Sequence, residues 1–189
     1  MKRVAFICTG NTCRSPMAEA MLRHMAKKEN RPIEVRSAGV TATLNAPASV
    51  NSLAILREKG IHELLKSSPV DASLIHWADL ILTMTVPHKR NVIQKFPQSV
   101  DKVHTLKEFV EDDPKVLANI REVEQLYTEW ELKKALAGII TEGDRKRLIQ
   151  LEQSLPDYDI SDPFGGSLSV YRKSAEEIEA ALRKLIKKL

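Results

Sequence analysis

Cysteine and aromatic residues are scarce in this 189-residue chain, which carries two cysteines, five histidines and 5% Phe, Trp and Tyr. Two cysteines cannot form a disulfide framework, and both lie in one short stretch, Cys8 and Cys13, so the reducing cytoplasm is the expected compartment. No apolar run approaches the ~20 residues that span a bilayer. The apolar stretch after Met1-Lys2-Arg3 is too short for the core of a signal peptide, so no membrane association is expected. His24, His62, His76, His88 and His104 stand apart from one another without metal-ligand spacing. They read as ordinary surface or strand-end histidines, and neither a metal nor another cofactor is expected. The net charge of +4 is small and the basic residues are scattered, with few aromatics to stack on bases, which argues against a nucleic-acid partner. The 43% hydrophobic and 29% charged content fits one well-buried globular domain with an addition.

What is present is concentrated near the start. Val4-Ala5-Phe6-Ile7 suits a buried strand, and Ser15-Pro16 with Glu19 behind it is a helix-start signal, with Pro16 at the first helical position. Between them lies Cys8-Thr9-Gly10-Asn11-Thr12-Cys13-Arg14-Ser15. A loop from a strand into a helix N-terminus presents unpaired N–H groups and the positive end of the helix dipole to an anion. Gly10 lets the chain curl around that anion, Asn11 tolerates a left-handed turn and can brace the loop, and Arg14 can grip two oxygens of a phosphoryl group. The same surroundings stabilise a thiolate at Cys8, making it a nucleophile, and Ser15 can donate a hydrogen bond to its sulfur. The alternative for Cys8 is an inert buried side chain, and Cys-x5-Arg alone is a weak pattern; strand, glycine, asparagine, serine and helix start together make it specific. Cys13 has two open readings: a partner for oxidised Cys8, or a residue packed beneath the loop.

Further along, strands and helices alternate. Helix is expected over Pro16 to about Lys28 and over Pro47 to Lys59, with Gly60 as a stop; strand over Ile33 to Ser37, Leu80 to Met84 and Val103 to Thr105. A short helix follows Asp71 and another begins near Pro87. Val170 to Leu189, with Ile178, Leu182, Leu185 and Ile186, closes the chain as an amphipathic helix whose Arg183, Lys184, Lys187 and Lys188 form the solvated face. The expected fold is α/β: a three-layer, doubly wound, parallel four-stranded sheet with flanking helices and its ligand at the carboxyl ends of the strands.

One stretch, at about 111-156, exceeds that pattern. Val116, Ile120, Val123, Tyr127 and Trp130 recur at steps of four and three, and Leu148, Leu151 and Leu155 form a second face beyond Gly138 and Gly143. This predicts a helical hairpin inserted into a single domain spanning 1-189. Added packing is its plain role; a lid, a partner site or a dimer contact is the sharper one.

The segment Cys8 to Ser15 with Pro16-Met17-Ala18-Glu19 is similar to the active-site signature of the low-molecular-weight protein tyrosine phosphatases. Asp162-Pro163-Phe164-Gly165 resembles their aspartate-proline loop, and Ser37-Ala38-Gly39 their segment after the second strand. The resemblance covers the first ~110 and last ~30 residues by these motifs. It implies that Cys8 attacks phosphorus, Arg14 and the N–H groups of the loop from Thr9 to Ser15 hold the phosphoryl oxygens, and Asp162 is the general acid and then base around a phosphocysteine intermediate. Phosphorylated proteins are the implied substrates.

Within that family, threonine at position 12 and Phe-Gly after Asp-Pro resemble the bacterial protein arginine phosphatases. Thr12 can narrow or polarise the pocket rim and bond the attacking water, and Phe164 can wall the arginine stem. Residues Val40 to Asn45 contain no aromatic to stack on a phenol ring, a contact worth about 0.5–1.5 kcal/mol. Phosphoarginine is therefore the first expected substrate and phosphotyrosine the second. Arsenate reductases share the loop but need a further cysteine. A non-catalytic phospho-binding or redox-sensing module would lack the acid that Asp162 supplies. Leu65 stands where the family often has a histidine that braces the loop.

Overall fold

The computed structural model describes residues 1–136 and 141–189, and four short strands pair as one parallel sheet. They are β1 (Lys2–Cys8), β2 (Ile33–Gly39), β3 (Leu80–Thr83) and β4 (Val103–Thr105), in the spatial order β2-β1-β3-β4. Every neighbouring pair is parallel, with Phe6 opposite Ser37 on one side and Leu82 on the other. Parallel pairing requires a crossover between strands, and helices supply it. They are α1 (Arg14–Lys28), α2 (Val50–Glu58), α3 (Ala72–Trp77) and α4 (Val86–Lys95), followed by α5 (Leu106–Phe109) after β4.

Internal packing divides the chain into two compact units, residues 1–110 with 158–189, and residues 111–157. The second unit consists of α6 (Pro114–Ala135) and α7 (Glu142–Ser154); α8 (Leu168–Lys188) completes the first. Alternate residues of β1 show how the first unit is layered. Val4, Phe6 and Cys8 pack in one cluster with Met17 and Met21 of α1 and Ile178 and Leu182 of α8. Ala5 and Ile7 pack in another with Leu74 and Ile75 of α3 and Val92 of α4. The two-residue strand period thus buries both faces of the sheet, giving the expected three layers. Among the described residues no helix is long and apolar enough to cross a membrane.

Several boundaries differ from expectation for local reasons. Helix α1 begins at Arg14, which moves Pro16 from the first helical position into the interior of the first turn, where its missing N–H still costs nothing. Helix α2 begins at Val50 rather than Pro47. Ser49 caps it by accepting from the Ser52 amide, while Pro47 is held in an isolated bridge to Lys66. The helix ends where expected: Gly60 N–H donates to Arg57 O at 2.9 Å and Ile61 N–H to Leu56 O at 2.9 Å, the paired bonds of a glycine stop. Helix α8 starts two residues before Val170, with Ser167 at its N-cap position.

In the second unit the expected stripe is only half right. Leu126 and Leu148 are its buried residues among those described, whereas Tyr127 is 45% exposed and its hydroxyl donates to Glu152 at 2.6 Å. Asn119 bonds Ser154, and the Lys133–Asp144 pair at 2.9 Å joins α6 to α7. Gly138 lies outside the described residues, and Gly143 falls within the first turn of α7.

Candidate active site

Cys8 is the last residue of β1, the strand on either side of which the crossovers diverge to β2 and to β3. In open α/β sheets that switch point is where a crevice forms. The loop that follows runs straight into α1, whose first turn carries no side-chain cap. The orphan amides of that turn therefore face the loop with the positive end of the helix dipole.

Asn11 adopts φ +54° and holds the loop in place. Its side-chain amide donates to Ser15 Oγ and Ser37 Oγ, each at 2.8 Å, and its carbonyl oxygen accepts from the Ser68 amide at 2.8 Å. Ser37 in turn donates to Glu19, which pairs with Arg23. Gly39 shows why Ser-Ala-Gly ends β2: a Cβ there would stand 2.5 Å from Thr9 O and 2.8 Å from Asn11 N. Beyond it the chain runs against the loop, Val40 N–H donating to Cys8 O and Thr41 N–H to Thr9 O at 3.0 Å. Leu65 packs against the core, and the loop is braced at Asn11 by Ser37 and the Ser68 amide.

The Ser15 hydroxyl lies 3.0 Å from Cys8 Sγ. Since Ser15 Oγ already accepts from Asn11, its own proton can go to the sulfur or to Ala38 O at 3.4 Å, and the sulfur is nearer. Cys13 is buried, with Tyr171 Oη 3.2 Å from its sulfur and Thr12 Oγ1 3.5 Å away. Burial raises the Tyr171 phenol above its ordinary value, with Cys13 adding to the effect.

Arg14 is buried, with 5% of its side chain exposed against 54% for Asp162. Its Nη2 donates to Asp162 Oδ2 at 2.9 Å and its Nη1 to Ile160 O at 3.2 Å. Its Nε is buried with no partner among the described residues. The Asp162 loop is fixed at several points: Ile160 N–H donates to Met84 O at 2.8 Å, and Val86 N–H to Asp159 Oδ1 at 2.7 Å. Ser161 donates to Glu177 of α8 at 2.7 Å, and Lys107 bonds both Glu177 and Asp159 O at 2.7 Å. Burial would raise the Glu177 carboxyl, but Lys107 and Ser161 outweigh it and hold the group below its ordinary value. Gly165, at φ +74°, turns the chain so that Gly166 N–H reaches Pro163 O at 2.9 Å, and Phe164 projects outward, 80% exposed.

Cys8, Thr9, Gly10, Thr12, Cys13, Arg14, Asp162 and Phe164 together line a cleft of about 280 Å³; Asn11 and Ser15 stand behind it. Residues 40–45 do not contribute to that lining. His88, read from sequence as an ordinary surface or strand-end histidine, is instead buried at 8% exposure against the loop. Its Nε2 lies 2.8 Å from Thr9 Oγ1 and its Nδ1 2.8 Å from Thr85 Oγ1. Burial, and next the Arg14 charge, push its imidazole down to about 4. The available signal was its position just past the carboxyl end of β3, beside the switch point.

A family model, low molecular weight phosphotyrosine protein phosphatase, matches residues 3–139. The chain is 36% identical over 187 residues to a protein-arginine-phosphatase of Geobacillus stearothermophilus, covering 99% of this chain and 95% of the relative. It is 36% identical over 186 residues to the protein-arginine-phosphatase of Bacillus subtilis, covering 98% and 95%. The YwlE arginine phosphatase structure from Geobacillus stearothermophilus superposes with a TM-score of 0.72 at 35% identity, covering 100% of this chain and 92% of that one. A YwlE structure with a phosphorylated active site serine superposes with a TM-score of 0.74 at 35% identity, covering 99% and 95%. With a cysteine at the end of β1, an arginine opening α1 and an aspartate pair to that arginine, the chain belongs to the low-molecular-weight protein tyrosine phosphatase family.

Proposed function

We propose that this enzyme hydrolyses phosphoarginine in protein substrates, with Cys8 as nucleophile. The observation that carries the reading is Arg14, which lines the cleft together with Cys8 and whose buried guanidinium Nε has no partner among the described residues. An unmet buried donor costs about 1–3 kcal/mol, and a phosphoryl oxygen would satisfy it.

In the first step the Cys8 sulfur attacks phosphorus as the phosphorus–nitrogen bond breaks, and the departing guanidine nitrogen takes a proton from Asp162. The amides of residues 9–15 and Arg14 hold the charge spread over the three equatorial oxygens. In the second, Asp162 accepts a proton from water, the water oxygen attacks phosphorus, and Cys8 leaves as a thiolate with Ser15 donating to it. Thr12 and Phe164 form the rim through which the arginine stem passes; Phe164 is an apolar wall on one side, and residues 40–45 bring no second aromatic to stack on a phenol ring from the other. The relatives named as protein-arginine-phosphatases support that substrate choice. The free thiols of Cys8 and Cys13 suit the cytoplasm as its compartment.

The test is phosphate release from phosphoarginine- and phosphotyrosine-bearing proteins side by side under reducing conditions. Preference for phosphoarginine, abolished by Cys8→Ala and shifted toward phosphotyrosine by Thr12→Ile, is expected. A preference of the unaltered enzyme for phosphotyrosine would overturn the substrate while leaving the two-step chemistry in place.

A further inference from the structure

We propose that His88 is a positioning residue that makes the Thr9 hydroxyl a further hydrogen-bond donor to the phosphoryl group bound over Cys8. The inference rests on the phosphatase reading above and deepens it.

Proton counting carries the argument. Thr85 Oγ1 is the N-cap of α4 and accepts the His88 amide at 3.3 Å, which occupies one of its acceptor sites. Its single proton is then free for Nδ1 of the same residue, 2.8 Å away. With Nδ1 as acceptor, a neutral imidazole carries its proton on Nε2 and donates it to Thr9 Oγ1, also at 2.8 Å. No other described group bonds the Thr9 hydroxyl, so its own proton is left over, on a side chain that lines the cleft beside Cys8. The reverse arrangement, Nδ1–H onto Thr85, leaves the Thr85 proton without an acceptor and spends the Thr9 proton on the ring. A dianion in the cleft selects the first arrangement, because only that one presents a proton to it.

The backbone makes the position usable. Thr9 O accepts the Thr41 amide at 3.0 Å, so the main chain at Thr9 is fixed and the His88 bond sets the remaining side-chain rotation. His88 is itself fixed by the helix cap and by burial, and its low affinity for a proton keeps the ring neutral near pH 7. Chemistry is unchanged by this: no proton leaves the chain, and one donor is added to those of the loop amides and Arg14.

The test uses vanadate, which mimics the five-coordinate phosphorus on the Cys8 sulfur, and p-nitrophenyl phosphate as a substrate indifferent to the arginine question. Thr9→Val and His88→Ala are each expected to weaken vanadate inhibition about tenfold or more, the loss of one hydrogen bond to a charged group. The double variant is expected to match Thr9→Val alone, since His88 acts through Thr9. His88→Gln, whose amide can donate to Thr9 and accept from Thr85, is expected to regain most of the affinity. Vanadate affinity within twofold of the unaltered enzyme in Thr9→Val overturns the proposal, as does a full additive loss in the double variant. If His88→Ala does not fold, Thr9→Val and the His88→Gln rescue decide it, Gln behaving like Thr9→Val counting against. An unaltered protein that neither binds vanadate nor turns over p-nitrophenyl phosphate would instead sink the phosphatase reading itself.

Discussion

The hydroxyl of Ser15 lies 3.0 Å from the sulfur of Cys8, and because its oxygen accepts from the Asn11 amide at 2.8 Å, its proton is available to that sulfur, which is nearer than the Ala38 carbonyl at 3.4 Å. A thiolate is a poor leaving group unless its charge is met, so this bond matters most when the phosphocysteine breaks down. Ser15→Ala is expected to lower kcat by about 10–100-fold, the worth of one hydrogen bond to a charged group. Rapid-quench kinetics with p-nitrophenyl phosphate should show a burst of nitrophenol followed by a slow phase. Equal slowing of the burst itself would place the role of Ser15 in the attack instead.

A second expectation concerns the contact between β2 and the loop. Gly39→Ala puts a methyl 2.5 Å from Thr9 O and 2.8 Å from Asn11 N, both backbone atoms that cannot swing away. Relief must come from moving the loop. Overpacking of this kind costs about 1–3 kcal/mol, and displacement of the loop by a fraction of an ångström should cost much of the activity as well. Calorimetry and kcat/KM measured together check it; a variant as active and as stable as the parent would show that the loop can shift without consequence.

That contact also marks the limit of what sequence could tell. The sheet, its parallel direction and the strand-loop-helix bearing Cys8 and Arg14 were legible because they depend on local signals: short β-branched and apolar stretches of three to seven residues, Gly10, Asn11 and the helix start at Ser15. Asp162 was legible only through the resemblance, since nothing local at Asp162-Pro163 announces a partner 148 residues away. His88 was misread because burial and the Thr9 and Thr85 bonds come from packing α4 against the loop, which no periodicity encodes. The stripe of α6 was read one residue off at its most buried position, Leu126 rather than Tyr127, because a two-helix unit buries a narrow seam and leaves a tyrosine hydroxyl free to find Glu152.

Titration of His88 gives a pH prediction with a definite sign. Its folded-state value, about 4, lies below the ordinary 6.5, so the unfolded chain takes up its proton first as pH falls. Stability is therefore expected to decline as pH drops from about 6.5 through about 4, and to be unaffected by this group above that window. His104 is lowered too, chiefly by burial, and contributes in the same direction. Chemical denaturation at pH 7.5 and pH 5 should show a smaller difference for His88→Gln than for the parent. An identical difference would mean that His88 is charged in the folded protein at pH 5.

The helical unit of residues 111–157 has its own seam, at Leu126 and Leu148, and its own cross-helix bonds. Every anchor of the Asp162 loop identified above, Met84, Val86, Lys107 and Glu177, belongs to the other unit. Lys107 also holds Asp159 O at 2.7 Å, which keeps the chain re-entering at residue 158 close to the segment that leaves at residue 110. Replacing residues 112–156 by a short Gly/Ser linker is therefore expected to leave kcat/KM for p-nitrophenyl phosphate within about threefold of the parent, because loop length by itself costs little. The same deletion tested on phosphorylated proteins separates the two roles open to the hairpin. If activity on proteins falls while that on the small substrate holds, the hairpin contacts the protein substrate; if both fall together, the unit supports the Asp162 loop after all.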